Sequence, residues 1–255
     1  MMTSLAPAAV FAFVGGLMAG SFTTVVSHRV PRGESVVGPR SRCPGCGTQI
    51  AAYDNVPVFS WLLLRGRSRC CNERISARYP VTELVLAALY AATVVVLWGE
   101  LAEILLGLVF VTTLVAVTVT DLEQRIIPNK VLLVATVLGL LIAAVFDPGS
   151  LPQRAIAAAA AGGGLFLVAL AYPQGMGLGD VKLAAVMGLF LGRNVAPALI
   201  VALLAGSIVG AAMIARHGAQ ARKQAIPFGP FLALGGVVGI LAGDSIVDWY
   251  LSTFS

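Results

Sequence analysis

The sequence predicts an all-α fold: a polytopic membrane helical bundle of about eight transmembrane helices, with a small cytoplasmic cysteine-containing insertion after the first helix. Three observations predict it. Hydrophobic residues make up 58% of the chain and charged residues only 11%, with a mean hydropathy of +0.90, far outside soluble averages. Apolar runs of spanning length, roughly 17 to 25 residues, recur along the chain. Those runs do not alternate in polarity as barrel strands would, so in lipid their backbone groups must be satisfied within helices.

The runs fall at 6–27, 80–98, 101–120, 131–147, 155–172, 181–192, 195–214 and 228–247. The sixth is short, which leaves the count of eight open by one. The first run has no basic segment before it and no small-residue cleavage site after it, so it is expected to remain as an anchor. Three regions follow: 1–27, the first transmembrane helix; 28–79, a soluble domain; and 80–255, the remaining membrane domain. The alanine run 156–161 with Gly162-Gly163-Gly164 has the small side chains of close helix packing.

Basic residues orient the bundle, because short loops rich in Lys and Arg stay cytoplasmic. Segment 28–79 holds nine arginines. Arg125, Lys130, Lys182, Arg216, Arg222 and Lys223 follow the third, fifth and seventh runs, while Arg154 and Arg193 fall in the opposite loops. The N-terminus is therefore expected outside the cell membrane, and segment 28–79 in the cytoplasm. The net charge of +5 is accounted for by orientation and contact with anionic lipid, with no nucleic-acid partner.

Segment 28–79 is too short to bury much core unaided, so a staple is expected there. All four cysteines lie in it: Cys43 and Cys46 within Cys43-Pro44-Gly45-Cys46-Gly47, then the adjacent Cys70 and Cys71. The first pair has the spacing and trailing glycine of a zinc knuckle. In a reducing cytoplasm a metal is favoured over disulfides. The second pair is weaker evidence, because neighbouring residues do not direct both side chains into one site without backbone distortion. One of them is open to being a bystander, and buried thiols, free thiols or a redox pair stay open beside zinc.

Two aspartates mark the chemistry. Asp121 follows a long apolar run in Thr120-Asp121-Leu122-Glu123-Gln124-Arg125-Ile126-Ile127-Pro128-Asn129, and Asp180 closes Gly175-Met176-Gly177-Leu178-Gly179-Asp180 before the next. The charge pattern places both at the cytoplasmic face. An ionisable residue at such depth is a functional candidate with a partner to be named, and each aspartate is the other's. Two carboxyl groups about 3 Å apart share one proton, so one acts as general base on a water while the other polarises or protonates the substrate. Gly177 and Gly179 are expected to let a substrate backbone approach and to let the turn adopt positive φ. A helix cap for Asp180 and a solvated boundary residue for Asp121 are the ordinary alternatives, against which convergence on one face weighs. Lys182 is expected to snorkel, Glu123 to be solvated, and Glu83 to pair with Arg78. His28 and His217 each neighbour an arginine, which argues against a histidine-based site.

With these residues in place the chain resembles the type IV prepilin peptidases, the prepilin leader peptidase/N-methyltransferases among the aspartic Gly-x-Gly-Asp membrane proteases. The resemblance rests on both aspartate motifs, Gly20-Ser21-Phe22 through Arg29-Val30-Pro31, Cys43-Pro44-Gly45-Cys46, Asp54-Asn55-Val56-Pro57, Ser60-Trp61, Arg65-Gly66, Tyr79-Pro80 with Glu83, and Ile226-Pro227-Phe228-Gly229-Pro230-Phe231. It implies an endopeptidase over 80–255 with Asp121 and Asp180 as the catalytic pair. Its substrates would be type IV prepilins or pseudopilins, cleaved at the cytoplasmic membrane face, with the new N-terminus then methylated from S-adenosylmethionine. Two departures stand out: Ser68 occupies the place of the second cysteine pair's first member, with Cys71 in register and Cys70 extra, and Thr24 stands where asparagine is usual. No glycine-rich strand-turn-helix fingerprint for the methyl donor is present. A proton-coupled transporter would also place carboxylates in a bundle, though it usually shows repeated halves that this sequence lacks, and a zinc-dependent membrane scaffold would depend on the cysteines alone. The oligomeric state is not legible.

Overall fold

The computed structural model describes residues 2–43, 45–173, 175–217 and 227–254; Pro44, Arg222, Lys223 and Ile226 lie outside them. Among the described residues nine α-helices follow one another: α1 (Met2–Arg29), α2 (Phe59–Leu63), α3 (Arg78–Val96), α4 (Leu101–Gln124), α5 (Asn129–Phe146), α6 (Leu151–Ala171), α7 (Leu178–Leu191), α8 (Val195–His217) and α9 (Gly229–Phe254). The fold is all-α, as expected. Seven segments are long and apolar enough to cross a membrane, and the sixth, Leu178–Arg216, contains both α7 and α8. The open count of one is located there: α7 has 14 residues, about 21 Å at 1.5 Å per residue, short of a hydrocarbon core of roughly 30 Å. The chain is a multi-pass membrane protein.

Two compact units divide it, Met1–Trp98 and Gly99–Ser255. In the first, α1 lies against α3 through Gly16 and Gly20, one turn apart. A Cβ at Gly16 would stand 2.5 Å from the Ala87 Cα and one at Gly20 2.6 Å from the Glu83 Cα. Lipid offers no hydrophobic drive to pair helices, so such close backbone approach is what holds them. Between these helices the chain forms two short loops, α2 and the cysteine cluster.

The second unit is built around α4 and α7. Phe110 of α4 and Phe190 of α7 stack with centroids 5.0 Å apart, both buried. Gly139 of α5 faces the Phe190 ring and Gly236 of α9 faces Leu114 and Phe110, at distances that a Cβ would close to 2.7 Å in each case. The small residues of α6 pack closely in part: Gly162 abuts Ala185 and Gly188 of α7 lies over the Ala157 backbone, whereas Gly163 and Gly164 are exposed, with open space where a Cβ would be. Arg154, buried in α6, pairs with Glu103 and donates to the Phe190 carbonyl at 2.7 Å. Its charge thereby meets carbonyls at the C-terminal end of α7 that have no helical partner.

Candidate active site

Asp121 lies in the final turn of α4, and the helix stops just beyond it for local reasons. Arg125 adopts a left-handed conformation (φ 55) with its N–H on the Asp121 carbonyl at 2.9 Å. Pro128 disfavours helix in the residue before it, so the chain restarts as α5 only at Asn129. Asp121 is 6% exposed. Its Oδ2 accepts the backbone N–H of Gly229, the first residue of α9, at 2.8 Å. A helix's first N–H groups have no intrahelical partner and sit at the positive end of its dipole, so they suit a carboxylate. A Cβ at residue 229 would stand 2.7 Å from that oxygen; only glycine permits the approach.

Asp180 is held by the same device on a different helix. It occupies the first turn of α7, and its Oδ2 accepts the N–H of Gly177, the N-cap, at 3.2 Å. This is the carboxylate half of a capping box, so the ordinary helix-capping role is present alongside whatever else Asp180 does. The left-handed turn expected at the glycines is absent: Gly177 has φ −79, and neither it nor Gly179 has positive φ. Space is the reason for glycine instead. A side-chain carbon at Gly179 would come within 3.1 Å of the Ile127 Cβ, and one at Gly177 within 3.3 Å of the Asp180 carboxylate.

Asp121, Asp180, Gly177 and Gly179 thus line one cleft of about 300 Å³, together with Arg125, Asn129 and Lys182. Lys182 does not simply run to the interface. It lines this cleft, and its Nζ donates to the Asn129 Oδ1 at 3.0 Å. Glu123 is exposed, as expected. Two carboxyl groups, two cationic side chains and two glycines line this cleft, a set of groups able to activate a water beside an amide. Sequence reasoning assigned no site role to Gly229 or Asn129. The signals for Gly229 were its place in Ile226-Pro227-Phe228-Gly229-Pro230-Phe231, one of the motifs that carry the resemblance, and a Gly-Pro pair opening an apolar run.

In the first unit the four cysteine sulfurs lie within 4.8 Å of one another. Cys43 and Cys71 are 3.5 Å apart, Cys46 and Cys70 3.2 Å, and Cys70 and Cys71 4.0 Å. Both Cys70 and Cys71 bring their sulfurs to this cluster. The backbone distortion that this requires is supplied by Asn72, left-handed at φ 61. The Cys46 backbone N–H, the Ser68 hydroxyl and the Gly45 N–H lower the Cys43 thiol to about 6. Cys46 is lowered chiefly by Thr48, and Cys70 is raised to about 12, chiefly by its bond with Cys46. Thiolate character therefore gathers on the first pair. Glu83, buried on α3, accepts the N–H of Val58 at 2.7 Å. Val58 itself sits at φ 61, ψ −49, a strained γ-turn conformation for a β-branched residue.

Fold and cleft together define a polytopic membrane protein in which two aspartates line one cleft. Comparison with known proteins makes the class specific. Residues 14–97 match the Bacterial Peptidase A24 N-terminal domain and residues 108–215 the Type IV leader peptidase family. A prepilin leader peptidase/N-methyltransferase of Aeromonas hydrophila is 38% identical over 277 residues, covering 95% of this chain and 93% of that protein. One from Bacillus subtilis (strain 168) is 36% identical, covering 94% and 96%, and one from Pseudomonas putida 34%, covering 92% and 91%. No solved structure matches the chain. The chain belongs to the type IV leader peptidase family.

Proposed function

We propose that this protein is a membrane-embedded aspartic endopeptidase that removes the leader of type IV prepilins or pseudopilins and then methylates the exposed N-terminal amine. The observation that carries the reading is the meeting of Asp121 and Asp180 in one glycine-lined cleft. In this reading the two carboxyl groups share one proton. The ionised one takes a proton from water as the water oxygen attacks the scissile carbonyl carbon. The protonated one gives its proton to the carbonyl oxygen. As the tetrahedral intermediate collapses, the carboxyl that took the water's proton passes it to the scissile nitrogen and the other recovers a proton from the diol, releasing the leader as an acid and the mature chain with a free N-terminal amine. The pair titrates as a unit, so neither aspartate is assigned a fixed role. Gly177 and Gly179 leave room for the substrate backbone, and the substrate's apolar helix supplies most of the binding energy.

The basic-loop pattern supports a cell-membrane protein with its N-terminus outside and the cleft at the cytoplasmic face, where lipid surrounds the spans. The cysteine module over 28–79 and the peptidase domain over 80–255 divide the work. Cys43, Cys46, Cys70 and Cys71 would hold a structural zinc ion. Tetrahedral ligation with Zn–S near 2.3 Å spaces sulfurs about 3.8 Å apart, and sulfur pairs at 3.2, 3.5 and 4.0 Å suit it. The ion would tie together two loops that bury little core. S-adenosylmethionine would supply the methyl group. The described residues hold no glycine-rich strand-turn-helix to seat it, so the relatives' shared name alone supports that half of the activity.

The test uses purified full-length protein in detergent with a prepilin, followed by mass spectrometry of the product's N-terminus. Cleavage at the junction of leader and apolar helix, with one added methyl group when the donor is supplied, is expected. Asp121→Asn or Asp180→Asn should abolish cleavage while the protein still inserts. An intact leader with the parent protein would favour a transporter or scaffold instead.

A further inference from the structure

The two cysteine loops share one backbone motif. In the first, Arg42 bridges Gln49, the Cys43 N–H bonds the Thr48 carbonyl at 2.8 Å and the Gly47 N–H returns to the Cys43 carbonyl at 2.8 Å, with Gly47 left-handed at φ 71. In the second, Arg67 bridges Arg74, the Ser68 N–H bonds the Glu73 carbonyl at 2.8 Å and the Asn72 N–H returns to the Ser68 carbonyl at 3.0 Å, with Asn72 left-handed at φ 61. The two patterns align Cys43 with Ser68, Gly45 with Cys70 and Cys46 with Cys71. The first loop brings its first and fourth residues, Cys43 and Cys46, to the cluster. The second should therefore bring Ser68 and Cys71, and a serine hydroxyl is a poor zinc ligand beside thiolates.

Cys70 instead puts its sulfur 3.2 Å from Cys46 and 4.0 Å from Cys71. Its neighbour explains how. Arg69 grips Asp54 in a fork, with Nε 3.1 and 3.0 Å from the two carboxylate oxygens and Nη2 2.9 Å from Oδ1. Such bidentate pairs fix geometry as well as supplying energy. The grip anchors the backbone between Ser68 and Cys70. Ser68 is engaged elsewhere, since its Oγ accepts the Glu73 N–H at 3.0 Å and lies 3.2 Å from the Cys71 sulfur, towards which a hydroxyl can only donate once that sulfur is a thiolate.

We infer that Cys70 is a register-shifted fourth thiolate ligand of a zinc site, standing in for the in-register Ser68, and that Ser68 serves the site as a hydrogen-bond donor to Cys71. The inference rests on the metal reading proposed above and says which sulfurs complete it. The proton held between Ser68 and Cys71 would partly offset the charge of four thiolates.

The test is made on full-length protein purified in detergent and loaded with Zn²⁺, or with Co²⁺ as a spectroscopic probe. The parent should take up one metal ion, with thiolate-to-cobalt charge-transfer absorption of a four-sulfur site. Cys70→Ser should lose about a quarter of that intensity, one sulfur of four, and release zinc to a chelator at least about tenfold faster, the order of a lost support in a metal site. Ser68→Ala should keep the full intensity. The double substitution Ser68→Cys with Cys70→Ser should restore both intensity and retention, which also controls for a folding defect. Undiminished intensity and retention in Cys70→Ser would overturn the register shift while leaving the metal reading intact. A parent protein that takes up neither ion would overturn both.

Discussion

The cysteine loops and the aspartate cleft both gather reactive side chains from separate stretches of chain, and they differ in how far those side chains are free to move. The sulfurs hang on short loops near solvent, held by turn hydrogen bonds and one arginine fork. There the chain has Ser68 in a ligand's register and Cys70 still reaches the cluster. The carboxylates are pinned to helix starts: Asp121 to the first N–H of α9 and Asp180 to the N-cap N–H of α7. A glycine lies beside each, where a Cβ would stand 2.7 Å from the Asp121 carboxylate and 3.3 Å from that of Asp180. A loop-borne site can absorb a shifted ligand; a site hung on helix ends transmits every displacement to the chemistry.

That contrast breaks most readily at Gly229. Gly229→Ala would drive a methyl group into the Asp121 carboxylate, and initial rates of prepilin cleavage should fall by roughly 10²-fold, the scale of a 1 Å misplacement in an active site. Near-parental rates would show the cleft to be as tolerant as the loops. Gly179→Ala meets the Ile127 side chain, which is softer than a pinned carboxylate, and should cost roughly tenfold, as moderate overpacking does. Lys182→Met removes the cation bonded to Asn129 and should lower kcat/KM by up to roughly tenfold, the scale of a typical hydrogen bond of about 0.5–1.5 kcal/mol in an exposed setting. Its split between kcat and KM tells whether the cation acts on the reacting bond or on substrate binding. The smallest effect belongs to the loops. Asp54→Asn releases the Arg69 fork and should speed zinc loss to a chelator by no more than about fivefold, because partly exposed ion pairs contribute at most about 1 kcal/mol, with cleavage unchanged.

Much of this was legible in the sequence because it is local. Apolar runs, and carboxylates at their ends, are written in consecutive residues, so α1, α3 to α9, Asp121 and Asp180 emerge without tertiary information. The short α7 was uncertain for the physical reason that also makes it unusual: it is too brief to span lipid alone. What stayed hidden depends on partners far along the chain. Gly229 matters through a hydrogen bond to a residue more than a hundred positions earlier, and Lys182 through Asn129. At Gly177 and Gly179 the expected left-handed backbone is absent, and what a side chain would meet there, the Asp180 carboxylate and Ile127, comes from the folded surroundings. That the Cys70 sulfur joins the cluster was not legible from spacing, because the left-handed Asn72 and the Arg69 fork shape this loop.

The central claim is that Asp121 and Asp180 work as one unit on one water. Single-turnover cleavage of a prepilin by the parent protein, Asp121→Asn, Asp180→Asn and the double variant tests it most directly. The account predicts that each single substitution lowers the rate by roughly 10²- to 10⁴-fold, the span of general acid–base catalysis, and that the double variant is no slower than the singles, as residues acting together behave. Substantial cleavage by either single variant, or losses that multiply in the double, would contradict it.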